Sequence, residues 1–256
     1  MRFAYLLSLG VIGIACGASH PQQIALFPPD INLETTRDKQ SFVVQLTQPD
    51  GITRDVTAQA QVTFANPARV KLDKFTVLPV SDGNTEMSVS FNGQTVKIPV
   101  KVTKAKEDRA ISFKQDVMPV FMRSGCNVGG CHGAARGKDG FRLSLFGFDP
   151  DGDHYRLTRE APGRRINLAL PAESLLVEKA TGKVPHTGGE RAREGGHLYK
   201  DLIRWMEAKA PNDPATIPTA TALEIYPPNA VLDGKGETQQ MTVRAKYSDG
   251  TVRDVT

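Results

Sequence analysis

The chain has few cysteines, little net charge and only one long apolar run. With 3 Cys in 256 residues, a disulfide framework cannot hold the fold together. A net charge of +4 is too small, and a hydrophobic fraction of 39% too high, for a disordered chain. Because the long apolar run lies at the extreme N-terminus, a multi-pass membrane protein is also excluded. What is left is a globular protein stabilised by hydrophobic cores.

The small positive charge is concentrated in the middle of the chain. Residues 101–210 carry 20 Lys+Arg and 14 Asp+Glu, whereas residues 1–100 carry 8 of each. This excess is far from the dense basic face that nucleic-acid binding needs, so no nucleic-acid partner is predicted. An acidic protein partner or the anionic groups of a cofactor fits the excess better.

The first 19 residues have the pattern of a secretory signal peptide. Arg2 gives a positive start, an apolar run covers residues 4–15, and small residues follow up to Ser19. The run is too short for a spanning helix, so export to the periplasm or the cell surface is predicted. Cys16 leaves a lipoprotein alternative open, and membrane attachment is expected only in that case.

Two segments repeat each other at an offset of 199 residues. Residues 50–57, Asp-Gly-Ile-Thr-Arg-Asp-Val-Thr, align without a gap with residues 249–256, and six of the eight positions are identical. Phe-Pro-Pro-Asp at 27–30 aligns with Tyr-Pro-Pro-Asn at 226–229. Asp-Gly and Asn-Gly turns between short alternating runs are typical of β-hairpins. Residues 22–104 offer enough such runs to predict a complete β-sandwich.

This repeated pattern resembles the bacterial Ig-like (group 2) domains of cell-surface proteins. The resemblance covers residues 22–104 in full and starts again at residues 222–256, where it stops just after the hairpin. A sandwich with fewer than half of its strands has unpaired edges. The chain is therefore predicted to be a fragment of a longer protein with further domains downstream. The alternative is that this incomplete module pairs with a strand of a partner.

Both cysteines of the exported chain lie in one short string. Cys-Asn-Val-Gly-Gly-Cys-His, residues 126–132, differs from the Cys-x-x-Cys-His signature of haem c attachment by two extra residues between the cysteines. Gly129 and Gly130 give the backbone freedom for these residues to loop outward. The chain retains the histidine that directly follows the second cysteine in the signature. Haem c is therefore the predicted cofactor, with thioether bonds to Cys126 and Cys131 and with His132 as the proximal iron ligand.

Two other chemistries stay open for the same residues. The cysteines could form a small disulfide in an exported chain. They could also join His132 and a second histidine in a zinc site, because their spacing lies in the range of zinc ligand pairs.

The surroundings of the string resemble the planctomycete-type cytochrome c domain. The resemblance is carried by Cys-Asn-x-Gly-x-Cys-His-Gly at 126–133, Gly-Lys-Asp-Gly-Phe-Arg-Leu at 137–143 and Pro-His-x-Gly-Gly at 185–189, and it covers about residues 110–212. It implies covalent haem c and electron transfer with an unidentified redox partner. It implies no particular substrate.

Two helices are predicted to pack in this segment. Asp116 is expected to be the N-cap of the first, on which Val117, Val120 and Phe121 share an apolar face. The second is expected over residues 197–208, with its apolar stripe facing the first helix.

The distal iron ligand is predicted to be His186. The loop of residues 180–189 has no methionine, and His186 is its ligand-competent side chain. Without a thioether ligand the potential is expected to be lower. Met122, Met206 or an open iron site are the alternatives. His154 and His197 are expected at the surface, and Arg164-Arg165 either pairs with haem propionates or forms a solvated turn.

The predicted architecture is mixed and multidomain. It combines an N-terminal all-β Ig-like sandwich (22–104), a central mainly α cytochrome c-like domain (110–212) and an incomplete second Ig-like module (222–256). The predicted function is that of an exported c-type haem protein that carries electrons at the cell envelope rather than catalysing a reaction. The alternatives are a non-redox adhesion or scaffold protein of the cell surface and a haem enzyme with an open iron site.

Overall fold

The structure is a computed structural model that describes residues 21–161 and 163–256. The predicted signal peptide (1–19) and the lipidation alternative at Cys16 lie outside the described residues. The described residues divide into two compact units. The first contains the residues up to Asp108 together with Thr219–Thr256, and the second is Arg109–Pro218.

The first unit contains the strands of the described residues. They are β1 (Gln23–Phe27), β2 (Ile31–Leu33), β3 (Gln40–Ser41), β4 (Val43–Thr47), β5 (Thr53–Asp55), β6 (Gln61–Phe64), β7 (Val70–Asp73), β8 (Thr76–Pro79), β9 (Gly83–Phe91), β10 (Gln94–Val102), β11 (Ala220–Tyr226), β12 (Thr242–Tyr247) and β13 (Val252–Asp254).

Strands β1 to β10 form a β-sandwich around one apolar core. Their sheets have the orders β1-β4-β5, β2-β10-β9-β6 and β3-β8-β7, and β2 runs parallel to β10. Alternating side chains such as Phe42, Val44 and Met87 are fully buried between the sheets. Asn92 and Gly93 have φ of 47° and 76°, the left-handed conformation that a tight hairpin between β9 and β10 requires.

Strands β11, β12 and β13 repeat the sheet β1-β4-β5. The strand order is the same, and so is the register, since Leu26 faces Val44 in one copy and Ile225 faces Val243 in the other. Each pair of positions is related by the offset of 199 residues. The sequence repeat is therefore a structural repeat.

The second unit contains the helices of the described residues. They are α1 (Met118–Arg123), α2 (Pro150–Thr158), α3 (Leu175–Thr181) and α4 (His197–Glu207), with a π-helical turn at Phe113–Val117 and 3₁₀ turns at Leu145–Gly147 and Pro171–Glu173.

The prediction of a central mainly α cytochrome c-like domain is wrong, and with it the predicted mixed fold class. The described residues are dominated by thirteen strands in four sheets, and the four helices have only 6, 9, 7 and 11 residues. Glycine and proline keep the helices short: Gly182 ends α3 in the left-handed conformation with φ of 74°. Most of the second unit is loop and turn built on a small apolar core.

The two predicted helices differ from the observed ones mainly at their ends. Ser112, not Asp116, caps the first helical turn, because its side chain accepts the N–H of Gln115 at 2.9 Å. Asp116 instead binds Arg109 in an ion pair. Helix α4 starts at His197 as predicted and buries Leu202, Trp205 and Met206. These residues join α1 in the core of the second unit.

Candidate functional site

The loop after α1 holds the predicted haem-attachment residues. Cys126 N–H donates to the Phe121 carbonyl at 2.9 Å, and His132 N–H donates to the Cys126 carbonyl at 3.0 Å, so the loop closes on itself. Gly133 lies where an added Cβ would meet the Asn127 carbonyl oxygen at 2.1 Å. Only glycine permits this close return of the backbone.

The four predicted site residues line one cleft. Cys126, Cys131, His132 and His186 are all part of its wall. His186 comes from the loop after α3, which is fixed to that helix because Arg191 and Ala192 N–H both donate to the Ala180 carbonyl. The structure therefore brings together residues that are up to 60 positions apart in sequence.

The two histidine rings lie close together with nearly parallel planes. Their centres lie 6.4 Å apart, and their planes differ by 3°. An imidazole nitrogen lies about 2.0–2.1 Å from a bound metal and about 1.2 Å from its ring centre, so two rings sharing one metal have centres about 6.4 Å apart. The observed distance between the ring centres equals this value.

Both rings are oriented by a backbone carbonyl. Nδ1 of His132 lies 3.0 Å from the Phe141 oxygen, and Nδ1 of His186 lies 2.8 Å from the Gly189 oxygen. Because a carbonyl only accepts, each Nδ1 carries a proton and donates it to that carbonyl. This is the arrangement by which proteins fix metal-ligating histidines.

A larger cavity of about 180 Å³ adjoins the cleft and shares Cys126 and both histidines with it. Its apolar wall comes from α1, α3, α4 and neighbouring loops: Val120, Phe121, Phe141, Leu175, Leu176, Ala180, Ala192 and Leu202. Its charged lining consists of Lys138, Arg164, Arg165 and Lys179 against Asp139. The cavity thus suits a ligand that is largely apolar and carries negative groups.

Burial controls the protonation of two site residues. Burial raises the pKa of the Cys126 thiol to about 11, with Arg191 acting in the opposite direction. Burial also lowers the pKa of His132, against the hydrogen bond to Phe141, and the nearby His186 lowers it further. At neutral pH, Cys126 is therefore a thiol and His132 a neutral imidazole.

The two other chemistries of the cysteines have less support. Cys126 and Cys131 are free thiols, so no disulfide joins them. Within residues 21–161 and 163–256, no group of three or more His, Cys, Asp or Glu side chains is placed to hold a metal ion.

The alternative iron ligands lie away from the cavity wall. Met206 is fully buried in the core, where its sulfur accepts a hydrogen bond from Ser174 at 3.1 Å, and Met122 is 52% exposed. His197 is exposed, as expected. The expectation for His154 is wrong: it is half-buried against Phe113, and its Nε2 lies 2.9 Å from the Ala210 oxygen.

The two arginines at 164 and 165 have different environments. Arg165 is buried, where its guanidinium donates to the Gly140 carbonyl at 3.0 Å and lies 4.8 Å from the Phe141 ring centre. It forms an ion pair with Glu160 as well. Arg164 is exposed and lines the cavity.

Several site residues were missed by the sequence reasoning. Lys179 donates to the Pro185 carbonyl at 2.5 Å and so holds the residue before His186. Ser124 has a buried hydroxyl without a hydrogen-bond partner, and it lines the cavity. Lys179 lies on α3 and Arg191 on the loop that follows it, and both side chains reach the site only through tertiary packing. No local pattern could have identified them.

Comparisons with known proteins add no function. No protein-family model matches the chain, and no curated protein matches it either. Among solved structures, domains 5–6 of the S-layer protein SbsC match at 22% identity over 32% of this chain and 43% of that one, with a TM-score of 0.27. SbsC domains 4 and 5 match at 25% identity over 32% of this chain and 51% of that one, with a TM-score of 0.21. These scores are too low to transfer a fold or a function.

The helices of the described residues are not membrane spans in length or composition. None of their helices combines the length and the apolar character needed to cross a bilayer.

Proposed function

We propose that this chain is an exported c-type haem protein that carries electrons at the cell envelope. Cys126 and Cys131 hold the haem through thioether bonds, His132 is the proximal iron ligand, and His186 is the distal one. The observation that carries this proposal is the pair of parallel imidazoles, 6.4 Å apart, in a cleft that both thiols line.

The lining of the cavity supports haem over a bare metal ion. Haem is a flat apolar macrocycle with two carboxylates, and the apolar wall with four cationic side chains matches both features. Haem iron takes only its axial ligands from the protein, so two histidines suffice. A structural zinc ion needs four ligands.

The two histidines favour an electron-carrying haem protein over a haem enzyme. When bound, haem would supply an iron that alternates between its ferrous and ferric states. His132 and His186 would both hold this iron, as the ligands that it takes from the protein. The hydrogen bonds to the Phe141 and Gly189 carbonyls hold the two rings in place. An electron carrier fits this arrangement better than a catalyst.

The test is expression of the full chain with cytochrome c maturation machinery. We expect a Soret and α-band spectrum that responds to reduction, and a haem that stays attached after denaturation. Cys126→Ala with Cys131→Ala should abolish covalent attachment. His186→Ala should shift the spectrum from low spin to high spin and open the iron to CO or cyanide, whereas His197→Ala, at an exposed histidine, should change neither property. A bare polypeptide after maturation would overturn the proposal.

A second candidate is a non-redox scaffold or adhesion protein of the cell surface. It is favoured by the packing of two Ig-like copies against each other in the first unit, where Phe27 stacks on Tyr226 at 5.9 Å. This function predicts no haem. It also predicts binding to cell-surface material that survives Cys126→Ala with Cys131→Ala. A redox function, in contrast, should be lost in that double variant.

A further inference from the structure

The two Ig-like copies of the first unit contact each other through reciprocal hydrogen bonds. Ser41 N–H donates to the Asp254 carboxylate at 2.5 Å, and Gln240 N–H donates to the Asp55 carboxylate at 2.9 Å. Residues 240 and 254 are the equivalents of 41 and 55 at the offset of 199. The same contact is therefore made twice, once in each direction.

A second pair of contacts follows the same rule. The Gln45 amide donates to the Asn229 carbonyl at 2.9 Å, and the Arg244 guanidinium donates to the Asp30 carbonyl at 3.0 Å. Residues 229 and 244 are the equivalents of 30 and 45. Phe27 and Tyr226, which are also equivalent at the offset of 199, stack on each other.

Reciprocity of this kind defines an isologous interface. In a two-fold symmetric dimer, residue i of one subunit contacts residue j of the other, and j contacts i. Here the outward faces of the sheets β1-β4-β5 and β11-β12-β13 make such an interface within a single chain. Gln45 and Asp55 lie on one face because they are directly opposite across β4 and β5.

The first copy contains both halves of every reciprocal contact. The donors at 41 and 240 and the acceptors at 30 and 229 are backbone groups, which any copy supplies. The acceptor at 55 and 254 is an aspartate in both copies, and residues 45 and 244 are both side-chain donors. If the first modules of two molecules met through this face, they would therefore keep all four hydrogen bonds and the aromatic stack.

We propose that the outward face of β1-β4-β5 is a self-recognition surface whose partner is the same face on a second copy of this chain. In the intact chain, residues 219–256 cover that face, because a tethered module has a high effective concentration. When this internal contact is weakened, the face becomes accessible to the same face on a second copy of this chain. The proposal does not depend on haem.

The test removes reciprocal contacts that residues 219–256 supply and leaves the face of β1-β4-β5 unchanged. Arg244→Ala with Asp254→Ala in the full chain deletes one reciprocal donor and one reciprocal acceptor. We expect a dimer whose population rises with concentration in sedimentation velocity experiments, while the unaltered chain stays monomeric. Adding Gln45→Glu, which replaces an amide donor by a carboxylate facing a carbonyl, should raise the dimer dissociation constant at least about tenfold.

Controls separate this dimer from unspecific association. Lys246→Ala with Asp233→Ala makes the same charge change in the same module outside the reciprocal contacts, and it should leave a monomer. A folded double variant that stays monomeric overturns the proposal, as does a dimer that Gln45→Glu does not weaken. Asp254→Asn alone is the milder variant if circular dichroism shows that the double variant is unfolded; its dimer, too, must depend on Gln45.

Discussion

At the scale of single residues, the position of His186 depends on a glycine two residues further on. A Cβ added at Gly188 would lie 2.9 Å from Cε1 and 3.2 Å from Nε2 of His186. We therefore expect Gly188→Ala to push the ring out of line with His132. In the haem-loaded protein this should appear as a loss of the low-spin spectrum with haem still covalently attached.

The matched control is a glycine in the attachment loop. Gly130 has open space around its Cα, so Gly130→Ala should leave the spectrum unchanged. If Gly188→Ala also leaves the low-spin spectrum intact, His186 is not the distal ligand.

Single residues also show where prediction from sequence stops. Cys126, Cys131 and His132 could be proposed from the sequence because they stand within seven consecutive positions. Lys179 and Arg191 could not, because α3 and the loop after it bring them to the site by tertiary packing, which no local pattern encodes. Arg165 shows the same limit: its sequence position suggested a propionate partner or a solvated turn, but its guanidinium is buried against Phe141.

At the scale of elements, α4 is held in the second unit by one apolar stripe. Leu202 is buried in the core, whereas Leu198 is only partly buried. Leu202→Ala is expected to lower the free energy of unfolding by about 2–5 kcal/mol, as large-to-small changes in cores do. Leu198→Ala should cost clearly less. Urea unfolding followed by Trp205 fluorescence measures both, and equal losses would contradict the packing described for α4.

Elements were predicted well where periodicity is local and poorly where tertiary contacts decide. The Asn-Gly pattern predicts a hairpin turn, and Asn92 and Gly93 form one between β9 and β10. The amount of helix around the site was overestimated, because an apolar face over one turn does not show where a helix ends. The Ser112 cap was missed since Asp116, equally suited by type, is taken by Arg109.

At the scale of the whole molecule, acid is expected to weaken the first unit through Glu224. Hydrogen bonding to Lys246 lowers the pKa of Glu224 below its usual 4.5, and Arg244 adds to this effect. A carboxylate with a lowered pKa stabilises the folded state above its unfolded pKa, and this contribution is lost as pH falls through the folded pKa. The free energy of unfolding should therefore decrease below about pH 4.5.

Glu224→Gln should remove part of that pH dependence. Asp233→Asn, at an exposed carboxylate of the same module, is the control. Urea unfolding at a series of pH values between neutral and acid measures the effect. An unchanged slope in Glu224→Gln would show that the ion pairs of Glu224 do not stabilise the fold.

The two units have separate cores, so damage to one should not spread to the other. Val44 is fully buried in the core of the first unit. In the second, the buried Asp153 accepts hydrogen bonds from Ser144 N–H at 2.6 Å and from Arg156 at 2.9 Å. Val44→Ala should lower only the first unit's unfolding transition. Asp153→Ala should lower only the second's, by at least about 1–3 kcal/mol, because it leaves the buried N–H and hydroxyl of Ser144 without their acceptor. Arg156 keeps its second ion pair, with Asp149.

Calorimetry of the two single variants and the double variant tests this independence. Distant sites without shared partners add within about 0.5 kcal/mol, so the double variant should show both shifts, each of its single-variant size. Trp205, the single tryptophan of the chain, lies in the second core, so its fluorescence should follow only the transition that Asp153→Ala lowers. One transition that moves with both substitutions would mean that the chain unfolds as a single cooperative body. In that case the two units could not act as separate modules, and a substitution in either would alter the stability of the other.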